Sequence, residues 1–314
     1  MKAVRVTAAK RALIILFSYN RAMQADATLR SIEEHLAGGD VEIAIVWRAD
    51  VDHRESYALL REKHELHGVT FYEELAGLAP WLPVLPALLH ARNLRQWQRH
   101  AYLRKLTGFK PLVEGILSRT GCSLVSFQTD DCIYYRDEPL PEAALRRIAA
   151  APADCSYRVY VGANYSQCPE GLGVADDLLA WNYYDQTMYH HWAYPFAVDG
   201  TFYNVAFLRR FLSFLYHNPV SLESGGVGSA RRKRILSNGL SPRTSSLLDF
   251  PINKVDFMVP GNAHGGASLE RLRDAFVEGY SLQYDVPVVV TASGRVPERF
   301  WLCRGPERLE VRVT

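Results

Sequence analysis

The sequence predicts an α/β fold built on a mostly parallel sheet flanked by helices, and three observations carry that prediction. Residues 12–19, "ALIILFSY", form an unbroken apolar run of the kind found in strands buried on both faces. Strand-like and helix-like segments then alternate up to residue 74, as a parallel sheet with crossover helices requires. A later strand-like run, "SLVSFQTDD", ends in two adjacent carboxylates, Asp130 and Asp131, at the edge where open α/β sheets bind ligands.

Taken in order, 12–19 is the first strand. "NRAMQADATLRSIEEHL" repeats Ala22, Ala25, Leu29, Ile32 and Leu36 at helical spacing, and Gly38-Gly39 stops the helix. "VEIAIVW" at 41–47 predicts the second strand, "HRESYALLREKHEL" at 53–66 the second helix and "VTFYEE" at 69–74 the third strand. Residues 76–108 break the rhythm with a proline-bearing segment, then basic "ARNLRQWQRHAYLRK", an expected amphipathic helix with Leu94, Trp97 and Ala101 inward. "FKPLVEGILSRTGC" predicts the helix that feeds the strand ending at Asp130-Asp131. Beyond residue 140 the pattern loosens. Helices are expected at "PEAALRRIAA", at 205–217 and at "LERLRDAFVEGY", whereas the Tyr-, Trp- and His-rich stretch 156–204 has little helical period. "ARRKR" at 230–234 reads as a solvated loop. The expected organisation is a first half, 1–137, carrying the insertion 76–108, and a second half, 138–314, in one continuous domain.

Composition narrows the function classes. Lys+Arg 36 against Asp+Glu 34 leaves +2, so no global field recruits nucleic acid. The 17 Tyr and 6 Trp suit a core and equally suit stacking on bases or sugar faces. The five cysteines are odd in number and form no C-x-x-C pair, which reads as reduced cysteines of a cytosolic protein without a zinc knuckle. The first apolar run is too short to span a membrane and no small-residue cleavage site follows it, so a cytoplasmic location is expected.

The Asp130-Asp131 pair has two readings, a capped turn after a strand and a site for a divalent cation. Hard cations take oxygen ligands, and Mn2+ or Mg2+ held there would bind a diphosphate and offset the charge of a departing phosphate. His190-His191 does not suit one ion, because neighbours on a strand point to opposite faces.

The segments "FSYNRAMQADATLRSI", "IAIVWRAD" and "FKPLVEGILSRTGCSLVSFQTDD" give the chain a resemblance to the GT-A-type glycosyltransferases, the fold of glycosyltransferase family 2, across residues 12–137. The family's metal motif is usually Asp-x-Asp; here Thr129 stands where the first carboxylate would be. The resemblance implies a nucleotide-sugar site containing Ser18, Asn20, Arg21, Asp50, Lys110, Asp130 and Lys254. It implies a Mn2+ or Mg2+ ion held by Asp131 first, with Asp130 and His264. "WAYPFAVDGTFYNVAFLRRFL" resembles the family's glycine-containing segment, which puts Asp199-Gly200 in a turn and makes Asp199 a catalytic or acceptor-binding carboxylate. By the same likeness Glu223 in "NPVSLES" stands where the family has its general base.

The implied activity is metal-dependent hexosyl transfer from a nucleotide-diphosphate sugar to a saccharide or lipid-linked saccharide, as in polysaccharide biosynthesis, with inversion if Glu223 is the base. The insertion is expected beside the active site as a lid or docking surface, with Trp81, Trp97, Arg92, Arg95 and Arg99 suited to the inner face of a membrane. Two other classes stay open. A nucleotidyltransferase shares the sheet but normally has a glycine-rich basic loop after the first strand, and "SYNRAMQAD" has no glycine. A non-catalytic nucleotide-sugar-binding protein would fit the missing first aspartate.

Overall fold

The computed structural model describes residues 11–36, 41–74, 108–165, 168–249, 252–253, 267–284 and 299–312. The expected insertion, apart from Gly108, lies outside the described residues. The first half follows the predicted alternation: β1 (Ala12–Tyr19), α1 (Ala22–His35), β2 (Val41–Arg48), α2 (Arg54–Glu65), β3 (Val69–Glu73), α3 (Phe109–Arg119) and β4 (Leu124–Thr129). β1 is buried from Ala12 to Ser18, which explains its lack of polar alternation. Its alternate residues serve two cores: Ile14 and Leu16 pack on the α1 and α2 side, Leu13, Ile15 and Phe17 on the α3 side.

The second half contains β5 (Cys132–Tyr134), α4 (Glu142–Ala150), β6 (Cys155–Arg158), β7 (Gly173–Ala175), β8 (Leu178–Asn182), β9 (Thr201–Asn204), α5 (Val205–Phe211) and α6 (Pro219–Lys233). It continues with β10 (Asn238–Ser241), β11 (Leu247–Asp249), α7 (Leu269–Val277), β12 (Ser281–Tyr284), β13 (Arg299–Arg304) and β14 (Glu307–Arg312). One nine-stranded sheet joins both halves in the order β3-β2-β1-β4-β9-β6-β10-β8-β7. Only β8 and β9 run against the common direction. The mostly parallel sheet flanked by helices is therefore the observed fold.

The strand order matters for function. From β1 the chain steps outward to β2 and β3, then returns to the other side of β1 as β4. The gap between the carboxyl ends of β1 and β4 is thus a topological switch point, the place where such sheets open a crevice. Phe17 pairs with Thr129 there, so Ser18 to Arg21 face Asp130 and Asp131 across it.

Three expectations are corrected. The helix expected over 205–217 ends at Phe211, and the chain turns before Asn218 starts α6. The "ARRKR" segment is not a loop: Arg231, Arg232 and Lys233 form the last turn of α6, where cations complement the helix dipole. Sequence pattern concealed this helix because Gly225, Gly226 and Gly228 lower its propensity. His190 and His191 lie in a short 3-10 turn, not on a strand, and His191 packs its ring on Tyr160 and Tyr165.

Candidate active site at the sheet's carboxyl edge

The end of β1 supplies one wall. Asn20 has φ 57°, a left-handed conformation that Asn tolerates well, and this turns the chain into α1. Its side chain donates to Asp50 Oδ2 at 2.8 Å and accepts from the Asp50 N–H at 2.9 Å. The Tyr19 hydroxyl adds a bond of 3.0 Å to the same carboxylate. These donors, Asn20 foremost, hold Asp50 ionised below its usual pKa, and it stays exposed. Asp50 is thus a fixed, solvent-facing acceptor beside β1, suited to hydroxyls or amino groups of a nucleoside.

Behind it Ser18, Tyr57, Arg21 and Asp130 form a buried cluster. Ser18 Oγ lies 2.5 Å from Tyr57 Oη and donates to Asp130 Oδ2 at 2.8 Å. Arg21 Nη1 donates to Asp130 Oδ1 at 3.0 Å and to Asp131 Oδ2 at 2.8 Å. Arg21 Nη2 donates to the Asn253 carbonyl, and the Arg21 N–H to Tyr57 Oη at 3.2 Å. Burial alone would depress the Arg21 pKa; Asp130 and Asp131 reverse that and hold it above its ordinary value.

The two aspartates part company here. Asp130 is 3% exposed, with both oxygens engaged inside the fold. Burial pushes its pKa up to about 6 against the pull of Arg21. With both oxygens engaged, Asp130 orients Ser18 and Arg21. Asp131, at the β4–β5 turn, is the partly exposed member and the one that a cation can reach.

The second half brings three more carboxylates toward Asp131. β9 runs antiparallel beside β4, so the turn before it falls at the carboxyl end of β4. Gly200 has φ 57° and donates its N–H to the Phe127 carbonyl at 3.1 Å. A Cβ there would stand 3.0 Å from both Leu247 and Val159, so only glycine closes this turn, which presents Asp199. Glu223 projects from the first turns of α6, whose start is fixed by the Asn218–Ser221 capping box with Pro219 in the first turn. Its Oε1 accepts from the Val198 N–H at 3.3 Å, tying it to the Asp199 turn. Asp249 was not singled out by sequence reasoning. It arrives because β11 pairs antiparallel with β5, putting Asp249 opposite Cys132 and next to Asp131.

Burial, with Asp131 adding, pushes Asp199 up to about 6. Burial, with Asp199 adding, pushes Glu223 up to about 8. Asp249 is raised well above the carboxylate range by burial and by Asp131 and Asp199. As whole residues all three are partly exposed, while their carboxyl groups lie largely buried. Arg158, also missed in the sequence, is the nearby buried cation. It donates to Thr201 Oγ1 at 3.1 Å and to the carbonyls of His191 at 2.5 Å and Tyr194 at 2.9 Å. Neither residue carries a spacing signal; long-range pairing alone places them.

Lys110 is engaged within the fold. Its ammonium is buried and donates to Glu114 at 2.6 Å, Leu212 O at 2.8 Å and Phe214 O at 3.0 Å. With three donors used, it pins α3 to the chain after α5 and has none left for a phosphate. Lys254 and His264 lie outside the described residues.

The carboxylate oxygens near Asp131 are of the type that a hard divalent cation takes, with the Cys132 thiol and the Arg21 guanidinium beside them. Among the described residues no three His, Cys, Asp or Glu side chains gather closely enough to hold an ion alone. Among the described residues no helix is long and apolar enough to cross a membrane.

No protein-family model matches the chain. No curated protein matches it in sequence. Solved structures do. S. aureus TarS is 12% identical over 76% of this chain and 36% of that one, with TM-score 0.44. The 1–349 portion of S. aureus TarS in complex with UDP-GlcNAc is 11% identical over 81% of this chain and 62% of that one, with TM-score 0.46. The mannosyltransferase PcManGT from Pyrobaculum calidifontis, in complex with GDP-Man and Mn2+, is 15% identical over 50% of this chain and 37% of that one, with TM-score 0.28. The chain thus spans less than two thirds of the length of each.

Proposed function

We propose that the chain is a glycosyltransferase that moves a sugar from a nucleotide-diphosphate donor to a saccharide hydroxyl, using Asp131 with Mn2+ or Mg2+. The observation that carries this reading is the group Asp131, Asp199, Glu223 and Asp249 near the carboxyl end of β4, in which Asp131 and Asp199 raise the pKa values of their neighbours. The donor's nucleoside lies against the Tyr19–Asn20–Asp50 wall, where Asp50 accepts hydroxyl or amino donors. Arg21 and Asp131 face its diphosphate. A divalent ion bound there would supply a Lewis acid that offsets charge on the leaving diphosphate. Asp199 accepts a hydrogen bond from the acceptor, and Glu223 takes the acceptor's proton as the new glycosidic bond forms. The transfer is then a direct displacement with inversion.

Glu223 suits that task for a physical reason. A base is strongest where its ionised form is poorly stabilised, and Glu223 has burial and Asp199 against ionisation and only the Val198 N–H and the nearby Arg158 in favour. The acceptor as a lipid-linked saccharide, and the 1–137 and 138–314 division into donor and acceptor halves, belong to the same proposal.

Thermal shift with UDP, GDP and their sugars in the presence of Mn2+ tests it. Ligand at 100 times its Kd adds about 2.7 kcal/mol, which raises Tm by about 5 °C or more. No shift with any nucleotide would remove the proposal.

A further inference from the structure

We propose that Arg21 is the positioning residue that couples metal binding to donor binding: it holds Asp131 until a cation and a diphosphate arrive together. The inference rests on the glycosyltransferase reading above, and two features of the cluster carry it. A single nitrogen, Arg21 Nη1, serves two carboxylates, at 3.0 Å from Asp130 and 2.8 Å from Asp131. One guanidinium therefore answers two negative charges.

The two partners are unequal. Asp130 is anchored: its other oxygen takes Ser18, and its carbonyl takes the Thr28 hydroxyl at 2.9 Å. Among the described residues only Arg21 donates to the Asp131 side chain, which is 13% exposed against 5% for Asp130. Asp131 is the partner free to leave.

Competition follows from charge. Asp131 can serve a divalent cation only by giving up part of its bond to Arg21, and the guanidinium then repels the ion beside it. Metal alone is therefore held weakly. A diphosphate reverses the balance, because its oxygens complete the cation's shell and accept from the Arg21 Nη1 N–H that Asp131 releases. Each ligand then strengthens the other, and the coupling is reciprocal.

The test measures two affinities on the full chain: Mn2+ alone by electron paramagnetic resonance, and UDP and GDP at saturating Mn2+ by calorimetry. Arg21→Gln should bind Mn2+ alone at least about fivefold tighter, and the nucleotide that the wild type binds at least about fivefold weaker, at the lower end of ordinary site–site coupling. Coupling itself is read by repeating the Mn2+ titration at saturating UDP or GDP: the gain in Mn2+ affinity that nucleotide gives the wild type should shrink at least about fivefold in Arg21→Gln, whereas independent charge effects leave that gain unchanged. Arg21→Gln leaves Asp130 buried without its cation, so Arg21→Gln/Asp130→Asn removes both charges and protects the fold; the same two shifts are expected. Mn2+ affinity unchanged or weaker in both variants, with wild-type nucleotide binding intact, overturns the coupling. Wild type binding neither Mn2+ nor nucleotide overturns the glycosyltransferase reading itself, and this inference with it.

Discussion

Asp130 and Glu223 are both carboxylates buried near the carboxyl end of β4, yet Asp130 has an arginine nitrogen 3.0 Å away while Glu223 has a backbone N–H at 3.3 Å. Burial raises both pKa values. Arg21 and Ser18 restrain Asp130 at about 6, whereas Glu223, with Asp199 pushing further, reaches about 8. The first half of the site thus balances its charge within the fold and acts as a frame. The second half holds its carboxylates where ionisation is costly, which suits a group that must take a proton.

The largest expected effect comes from the boundary between the two regions. Asp131→Ala should lower transfer by about 10³-fold or more while circular dichroism stays native, because a whole metal contact is lost. Full activity of this variant in the presence of a chelator would dissolve the comparison.

Glu223→Gln separates the regions next. Turnover should fall by about 10²–10⁴, with nucleotide affinity unchanged. Stability should move the other way. The folded pKa lies above the unfolded one, so the native state keeps a proton that the unfolded state releases, and wild-type stability declines as pH rises from about 4.5 to about 8. Glutamine removes that loss. The Tm gain should be absent below about pH 4.5, grow to about pH 8 and then level off. A gain that shrinks with rising pH would show that Glu223 is stabilised as an anion. Near wild-type turnover would pass the base role to Asp199.

Gly226→Ala probes how α6 delivers Glu223. A Cβ at Gly226 would stand 2.2 Å from Phe196, and Glu223 lies three residues earlier on the same helix face. The overpacked helix should lose about 1–3 kcal/mol in chemical denaturation, and turnover should drop with it. The smallest effect is expected at the frame. Asn20→Gly keeps the left-handed backbone but removes two bonds to Asp50, and nucleotide affinity should weaken by about 5- to 10-fold, the equivalent of one or two hydrogen bonds.

The sequence and the structure agree most where contacts are local. β1, α1, β2, α2, β3, α3 and β4 lie within a few residues of their predicted spans, because long apolar runs and helical spacing signal themselves. The second half resisted reading because its strands β6 to β10 are three to five residues long and most owe their place to distant partners. The site divides the same way. Ser18, Asn20 and the aspartate pair were legible as strand ends. That Asp130 turns inward to Arg21 was not, since adjacent aspartates look alike until a neighbour claims one. Asp249 was invisible in "LLDFP" because only the β5–β11 pairing carries it to Asp131.

The most direct test is nucleoside diphosphate release from a panel of UDP- and GDP-sugars with Mn2+ and mixed saccharide acceptors, run side by side on wild type, Asp131→Ala and Glu223→Gln. Acceptor-dependent release by the wild type with one donor, lost in both variants while both remain folded, is the result predicted here. Release from no donor, or equal release by all three proteins, would contradict it.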